Sequence, residues 1–301
     1  MTIVELFQTN AVAFYGVVAF VSLMVGSFLN VVIHRLPIMM ERGWRDGVKE
    51  YLTDQQVDRK IPLNLEFQSE LPPEPFNIAV PRSRCPQCGN EIKAWQNIPI
   101  ISYLILAGKC AGCTTAISVR YPIVEFVTLI LSLVVAWNLG PTPAALLGII
   151  ITWFLVAMSM IDFDHQLLPD SMTLPLMWIG LIAALIPIFA DLRSAVIGAA
   201  AGYMTLWSIY QLFKLITGKE GMGYGDFKLL AALGALLGWQ DLPIIILLSS
   251  LVGAIVGLAI IAVTGRDKNI PIPFGPYLAA AGWITMLWGD KLSNWYYNFL
   301  M

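Results

Sequence analysis

The sequence predicts an all-α polytopic membrane protein, with one small zinc-knuckle domain inserted between its first two membrane-spanning helices. Of its 301 residues, 57% are hydrophobic and 13% are charged, whereas soluble domains average about 45–50% apolar and about 25% charged residues. Apolar segments long enough to span a bilayer recur along the chain. The net charge of −2 and the two histidines exclude a broad basic surface for nucleic acid.

Eight apolar segments are predicted to span the membrane. They cover residues 11–33, 121–139, 143–161, 171–190, 194–217, 227–239, 243–264 and 277–298. The first apolar run is too long for a cleavable signal peptide, so we expect it to be retained. The sixth segment is short for a hydrocarbon core of about 30 Å, so we expect it to be tilted or buried within the bundle. Residues 98–107 are apolar but too short to span, which favours an interfacial position or the core of a small domain.

Basic residues predict the side of the membrane on which each loop lies. Of the 18 basic residues, 11 lie in the polar segment 35–120, and most others lie in or beside the connections 218–226 and 265–275. Because basic loops remain in the cytoplasm, we expect a cytoplasmic domain at 35–120. The first helix then occupies 1–34 and a seven-helix membrane domain occupies 121–301. An even number of spans places both termini outside the cytoplasm.

The four cysteines form two C-x2-C pairs separated by 21 residues: Cys85 with Cys88, and Cys110 with Cys113. Two such knuckles can supply the four thiolates of a tetrahedral Zn²⁺ site. The alternatives are two disulfides or four free thiols, and a reducing cytoplasm disfavours disulfides. We therefore predict a structural zinc ion that helps a small, core-poor domain to fold. Gly89 and Gly112 are expected to provide the tight turns of the knuckles, and we find no internal repeat.

Two acidic positions occur where a predicted span meets the cytoplasmic face. Asp162 lies at the end of the third span, and Asp226 lies in the sequence Gly-Tyr-Gly-Asp before the sixth. Odd-numbered spans end, and even-numbered spans begin, on this side, so both carboxylates lie at the same depth. Paired carboxylates that share a proton can activate water and protonate a carbonyl, as in aspartic proteases. The alternative is that both aspartates are solvated residues at helix ends.

Taken with the cysteine pairs, these motifs resemble the bacterial prepilin peptidases, also called type IV leader peptidases, which are membrane aspartyl proteases of the GxGD class. The resemblance covers nearly the whole chain, and its further motifs are GSFLNVVIHRLP at 26–37, NIPIISY at 97–103, SVRYP at 118–122 with Glu125, the segment 162–170, GYGD at 223–226 with Lys228, and PFGP at 273–276.

The resemblance implies that Asp162 and Asp226 are the catalytic pair. Asp162 is preferred over Asp164 because it lies seven residues before Pro169, as the family's aspartate does, and Asp164 and Asp170 are second choices. Because Asp226 begins a helix, whose dipole favours a negative charge, we expect Asp226 to be ionised and Asp162 to hold the proton.

The implied reaction is hydrolysis of the leader peptide from prepilins and pseudopilins at the cytoplasmic face of the bacterial inner membrane. Many members with a tetracysteine domain also methylate the new N-terminal amine with S-adenosylmethionine, and residues 35–120 are the natural place for this activity. No Rossmann-type glycine loop occurs there. The implied partners are prepilin and pseudopilin precursors and membrane lipid, without nucleic acid. Two other classes fit the composition: a transporter or channel with a zinc module, and a non-enzymatic assembly scaffold.

Polar residues of the first span share one helical face. Ser27, Asn30 and His34 follow i, i+3 and i+7 spacing, and because polar groups are costly in lipid, this face is expected to point inward and to form interhelical hydrogen bonds.

Three further charged residues have predicted structural roles. Glu125 is expected to pair with Arg35 or Arg120. Asp170 precedes an apolar run and suits an N-cap. Lys228 lies two residues after Asp226, so on a helix it points away from that aspartate and suits a structural or lipid-headgroup role.

Overall fold

The chain folds into α-helices wherever its apolar segments are long. The computed structural model describes residues 3–59, 71–73, 75–264 and 273–300. Its helices are α1 (Ile3–Thr9), α2 (Ala11–Arg59), α3 (Ile101–Ile105), α4 (Arg120–Leu139), α5 (Pro143–His165), α6 (Asp170–Ala183), α7 (Leu192–Thr217), α8 (Tyr224–Leu237), α9 (Leu242–Thr264) and α10 (Gly275–Leu300). Within these described ranges the chain forms isolated β-bridges but no strand, so the predicted all-α class is confirmed.

Each of the eight predicted spans corresponds to a helix, but fewer of them combine the length and the hydrophobicity needed to cross a membrane. In the described part of the chain, five helices have the required length and hydrophobicity, and they lie within α2, α4, α5, α7 and the segment Trp239–Ile260 that contains most of α9. The chain is therefore a membrane protein. Helices α6 and α8 have 14 residues each, which corresponds to about 21 Å, less than a full hydrocarbon core.

The first long helix continues well beyond its predicted end at residue 33. Helix α2 extends from Ala11 to Arg59 and contains Pro37. Its polar half has helix-supporting side-chain pairs, such as Glu41 with Arg45 four residues later. Lys60, Arg266 and Lys268, which contribute to the predicted orientation, lie outside the described residues.

The chain divides into two units. One consists of residues 1–26 and 126–301, and the other of residues 27–125. The domain limits predicted from the sequence, at 34/35 and 120/121, differ from these divisions by eight and five residues and stay predictions.

Helix α8 is the buried centre of the larger unit. Almost every residue of α8 from Asp226 to Leu237 is buried, as predicted for the short sixth segment. Glycines on its neighbours permit this close packing: a Cβ at Gly198 of α7 would lie 2.2 Å from the carbonyl oxygen of Gly234. A Cβ at Gly202 would similarly lie 2.6 Å from the carbonyl oxygen of Leu230. Gly198 and Gly202 form a GxxxG motif, which is typical of close helix pairs in membranes.

Candidate active site and metal centre

Asp162 lies in the last turn of α5, where its side chain is buried and only 5% exposed. The backbone N–H of Gly275, at the start of α10, donates a hydrogen bond of 2.9 Å to Asp162 Oδ2. Helix α5 ends three residues later, at His165, because Gln166 adopts the left-handed conformation, with φ at 52°, and its N–H donates to the carbonyl of Asp162. The helix end thus places this carboxylate beside the first turn of α10.

Asp226 lies in the first turn of α8 and is 7% exposed. The extended conformation of Gly223 begins the helix, and the backbone N–H of Asp226 donates to the Gly223 carbonyl at 3.2 Å. The positive end of the helix dipole lies at this terminus, so it stabilises a negative charge on the side chain.

Three chain segments meet around Leu168, which follows α5. A Cβ placed at Gly225 would lie 2.7 Å from Leu168 Cβ, and one at Gly275 would lie 2.6 Å from Asp162 Oδ2. The carboxylates of Asp162 and Asp226 are close enough to repel each other electrostatically. The structure thus brings together two buried acids from helices that are far apart in sequence. The hydrogen bond from Gly275 was not predicted, although its PFGP motif marks a glycine at a helix start.

The two second-choice aspartates occupy different surroundings. Asp164 is exposed, and Asp170 is exposed at the first residue of α6. The predicted N-cap role of Asp170 was wrong, because Pro169 occupies the N-cap position. Its carboxylate instead accepts two hydrogen bonds from Lys228 Nζ, at 2.6 and 2.7 Å. This ion pair joins α6 to α8 and gives Lys228 a structural contact.

Replacement of Lys228 by methionine is expected to lower the free energy of unfolding by at most about 1 kcal/mol, because the ion pair is partly exposed to solvent. Thermal unfolding in detergent would measure this difference. The matched control is Lys219→Met, an exposed lysine in the connection before α8. An equal loss in both variants would contradict a specific role of the ion pair.

The four cysteines converge at one point in the smaller unit. All four sulfur atoms lie within 4.8 Å of one another, and all four cysteines are free. The distance from Cys85 Sγ to Cys113 Sγ is 3.8 Å, and that from Cys88 Sγ to Cys110 Sγ is 4.0 Å. These separations are far longer than a disulfide bond of about 2.05 Å, and they form a cluster that can bind a metal ion.

The two knuckles have the same pattern of backbone hydrogen bonds, displaced by 25 residues along the chain. No repeat was predicted from the sequence. The backbone N–H of Cys85 donates to the carbonyl of Asn90, and that of Cys110 donates to Thr115. Gly89 and Thr114 take equivalent left-handed positions, with φ of 70° and 56°. Gly112 therefore does not supply the turn as expected. A side chain there would collide with Asn90, since an added Cβ would lie 2.2 Å from its Nδ2.

Polar residues in the middle of α2 and near the start of α4 hydrogen-bond to backbone groups. Ser27 and Asn30 donate to the carbonyls of Asn97 and Tyr121, at 3.4 and 3.1 Å, and the bond from α2 to α4 confirms the predicted interhelical hydrogen bonding. His34, on the same predicted face, is exposed. The buried Glu125 accepts from the backbone N–H of Ile100 at 2.7 Å.

Arg35 is one of the two arginines that were expected to pair with Glu125. It does not do so. Its guanidinium donates instead to the backbone carbonyls of Asn77 and Pro81, at 2.8 and 2.6 Å. These carbonyls lie in a segment without regular secondary structure, so no helix or strand supplies their hydrogen bonds. The buried Arg35 side chain donates those hydrogen bonds instead.

Family models and individual relatives point to the same family, and the relatives match nearly the full chain. A family model described as the Bacterial Peptidase A24 N-terminal domain matches residues 20–139, and one described as the Type IV leader peptidase family matches residues 149–258. The chain is 52% identical to a protein of Stutzerimonas stutzeri named "Prepilin leader peptidase/N-methyltransferase", over 99% of each chain. Proteins of the same name from Aeromonas hydrophila and Pseudomonas aeruginosa are 54% and 51% identical, over 95% and 99% of each chain.

No solved structure matches the chain significantly. Two family models that together cover most of the sequence, and relatives about half identical over nearly their full lengths, give one assignment. The chain belongs to the type IV leader peptidase family.

Proposed function

We propose that this protein removes the leader peptide from prepilins and related pseudopilins, and that Asp162 and Asp226 hydrolyse the peptide bond. The main support is the convergence of two buried carboxylates from the end of α5 and the start of α8. The relatives' name and the matching peptidase family describe the same reaction class. Asp164 lies in solvent two residues from Asp162, which favours Asp162 as the member of the pair.

In the proposed mechanism, Asp226 is the base and Asp162 holds the shared proton. Ionised Asp226, at the positive end of the α8 dipole, takes a proton from water as the water oxygen attacks the scissile carbonyl carbon. Asp162 transfers its proton to the carbonyl oxygen, and the Gly275 N–H holds Asp162 in position. In the collapse of the tetrahedral intermediate, Asp226 gives its proton to the departing nitrogen and Asp162 takes a proton back from a hydroxyl group of the intermediate. No covalent bond between enzyme and substrate forms.

The position of the pair favours a peptidase over a transporter or an assembly scaffold. A transport pathway predicts acidic groups near the middle of membrane-spanning helices. Asp162 instead lies three residues before the end of the 23-residue helix α5, and Asp226 is the third residue of α8. Both acids therefore lie at helix ends, where an extended peptide can reach them.

Methylation of the newly formed N-terminus by S-adenosylmethionine is proposed as the second activity. It is supported by the relatives' printed name, which includes N-methyltransferase. We propose that residues 35–120 carry it.

The proposed metal is a structural Zn²⁺ held by Cys85, Cys88, Cys110 and Cys113. Zinc–sulfur bonds of about 2.3 Å in a tetrahedron separate the sulfur atoms by about 3.8 Å, and the Cys85–Cys113 and Cys88–Cys110 sulfur pairs, at 3.8 and 4.0 Å, are close to this spacing. Hydrogen bonds that the hydroxyl and the backbone N–H of Thr115 donate to the sulfur lower the pKa of the Cys113 thiol to about 6. This favours the thiolate, which is the form that binds metal.

Replacement of Cys88 by serine is expected to remove most of the bound zinc and to destabilise residues 27–125, because three thiolates hold the ion far less tightly than four. Elemental analysis of the purified full-length protein would measure the zinc, and limited proteolysis would report the folding of this unit. Gln87→Ala, an exposed change in the same knuckle, is the control. Equal zinc content in Cys88→Ser and wild type would contradict the proposed ligand set.

For localisation, we propose the bacterial inner membrane, with the active site at the cytoplasmic face, both termini outside and lipid around the bundle. The basic residues of segment 35–120 support this orientation through the positive-inside rule. A C-terminal alkaline phosphatase fusion, which is active only outside the cytoplasm, is expected to be active. No nucleic-acid partner is proposed.

Co-expression with a prepilin tests the proposed function directly. Wild-type protein is expected to shorten the precursor, and mass spectrometry of the product is expected to find one added methyl group on its new N-terminus. An unprocessed precursor would contradict the peptidase proposal, and a product without the methyl group would contradict only the methyltransferase proposal.

A further inference from the structure

An apolar groove is lined in part by residues that lie close in the chain to Asp226 and to Gly275. It has a volume of about 320 Å³, and its lining comes from α7, α9 and the start of α10. The side chains that form its walls are almost all apolar: Leu206, Ile209, Ile246, Ala254, Phe274 and Tyr277.

The segment before Asp226 and the segment that hydrogen-bonds to Asp162 both contribute to this groove. Met222, which lines it, precedes Asp226 by four residues. Phe274, on the other wall, directly precedes Gly275, whose N–H binds Asp162. A peptide that is cleaved between the two aspartates would therefore lie next to this groove.

A second groove continues the first along α7 and α9. It has a volume of about 560 Å³ and shares Ile246 and Ser250 with the first groove. Along α7 the two linings run from Ile209 back to Ile197, a distance of about 18 Å at the rise of an α-helix. The two grooves together, hereafter the α7–α9 furrow, extend from the aspartate pair toward the opposite end of both helices.

The helices that border the furrow are the least packed of the five candidate spans. Only 22% of the apolar window of α7 and 17% of that of Trp239–Ile260 is buried, compared with 61% for α5. An apolar track of this length, within membrane-spanning helices, matches the apolar stripe of another helix.

We propose that the α7–α9 furrow binds an apolar, membrane-embedded helical segment of the substrate next to the scissile bond. This inference rests on the proposed peptidase function. The furrow would hold the helix in the bilayer while the adjoining extended residues reach Asp162 and Asp226. Selection of membrane-embedded precursors would then depend on this furrow as well as on the residues at the cut.

Two alanines in the furrow provide the test, one at each end. Ala254→Phe fills the part near the aspartates, and Ala201→Phe fills the distant part. The matched controls place the same residue on the same helices outside the furrow lining: Ala259→Phe on α9 and Ala200→Phe on α7, both exposed positions. Thermal unfolding in detergent identifies a variant that has lost its fold, in which case Ala→Leu at the same position replaces it.

The expected result is a rise in KM for full-length prepilin of about tenfold or more in both furrow variants, with kcat changed less than about threefold. The controls are expected to match wild type. Equal KM values in furrow and control variants would overturn the inference while leaving the peptidase proposal intact. Failure of the wild type to cleave prepilin would instead contradict the peptidase proposal.

A crosslinking experiment tests the same contact without kinetics. A photo-reactive benzophenone side chain in the apolar segment of prepilin is expected to crosslink to peptides from α7 or α9 of the Asp226→Asn protein. Crosslinks confined to α4 or α5 would contradict the proposed position of the substrate helix.

Discussion

The Asp226→Asn variant is expected to lose prepilin cleavage by roughly 10³-fold or more, because an amide cannot accept the proton of the attacking water. Asp162→Asn is expected to cause a comparable loss, since its amide cannot deliver the shared proton to the carbonyl oxygen. Both changes conserve side-chain size within a buried site. Cleavage of prepilin by the purified variants, followed over time on gels, measures the effect.

Asp164→Asn is the matched control for this prediction, because Asp164 is exposed and lies two residues from Asp162 on the same helix. It is expected to retain cleavage within about threefold of wild type. Zinc content is expected to remain unchanged in all three variants, which would show that residues 27–125 are folded. Loss of cleavage in Asp164→Asn or Asp170→Asn, with retention in Asp162→Asn, would show that the catalytic pair is wrongly assigned.

A leucine at Gly198 is expected to abolish cleavage without touching either aspartate. The added Cβ alone would lie 2.2 Å from the carbonyl oxygen of Gly234, so α7 and α8 would have to separate. Overpacking of this kind costs about 1–3 kcal/mol or more. The shift would also move Asp226, which lies two turns before Gly234 on α8. Thermal unfolding in detergent and prepilin cleavage together measure the two consequences.

Gly16→Leu is the matched control, because a Cβ at Gly16 has no neighbouring atom within 4 Å and the residue lies in the apolar part of α2. This variant is expected to keep wild-type unfolding temperature and cleavage. If Gly198→Leu behaves like Gly16→Leu, the close approach of α7 and α8 does not position the active site.

Motifs with short-range geometry were predictable from the sequence. The spacing of the four cysteines within two C-x2-C pairs anticipated a single cluster, because each knuckle is closed by hydrogen bonds over five residues. The left-handed residue of the second knuckle was not predictable, since Thr114 adopts a conformation that usually favours glycine. A Cβ at Gly112 would instead meet the side chain of Asn90, which belongs to the other knuckle, so that side chain would have to shift.

Helix boundaries were less predictable where the chain changes from apolar to polar but the helix continues. The apolar pattern ends near residue 33, but α2 continues to Arg59 because local side-chain pairs support a helix in water as well as in lipid. The predicted number of eight spans stays a prediction, because five helices within the described residues have the length and hydrophobicity to cross a membrane. Hydrophobicity identifies α6 and α8 as apolar, yet a 14-residue helix surrounded by other helices can be apolar without crossing the bilayer.

By itself, the sequence determined the helical membrane class, the cysteine cluster and the two acidic positions beside predicted span ends, since these depend on composition and on spacing along the chain. Only the tertiary structure decided that Asp162 is buried and Asp164 exposed, that Gly275 donates to Asp162, and that Lys228 pairs with Asp170. The physical reason is that burial and hydrogen bonding depend on segments 50 to more than 100 residues apart. Their approach is governed by helix packing, in particular by the glycines that allow α8 into the centre of its unit.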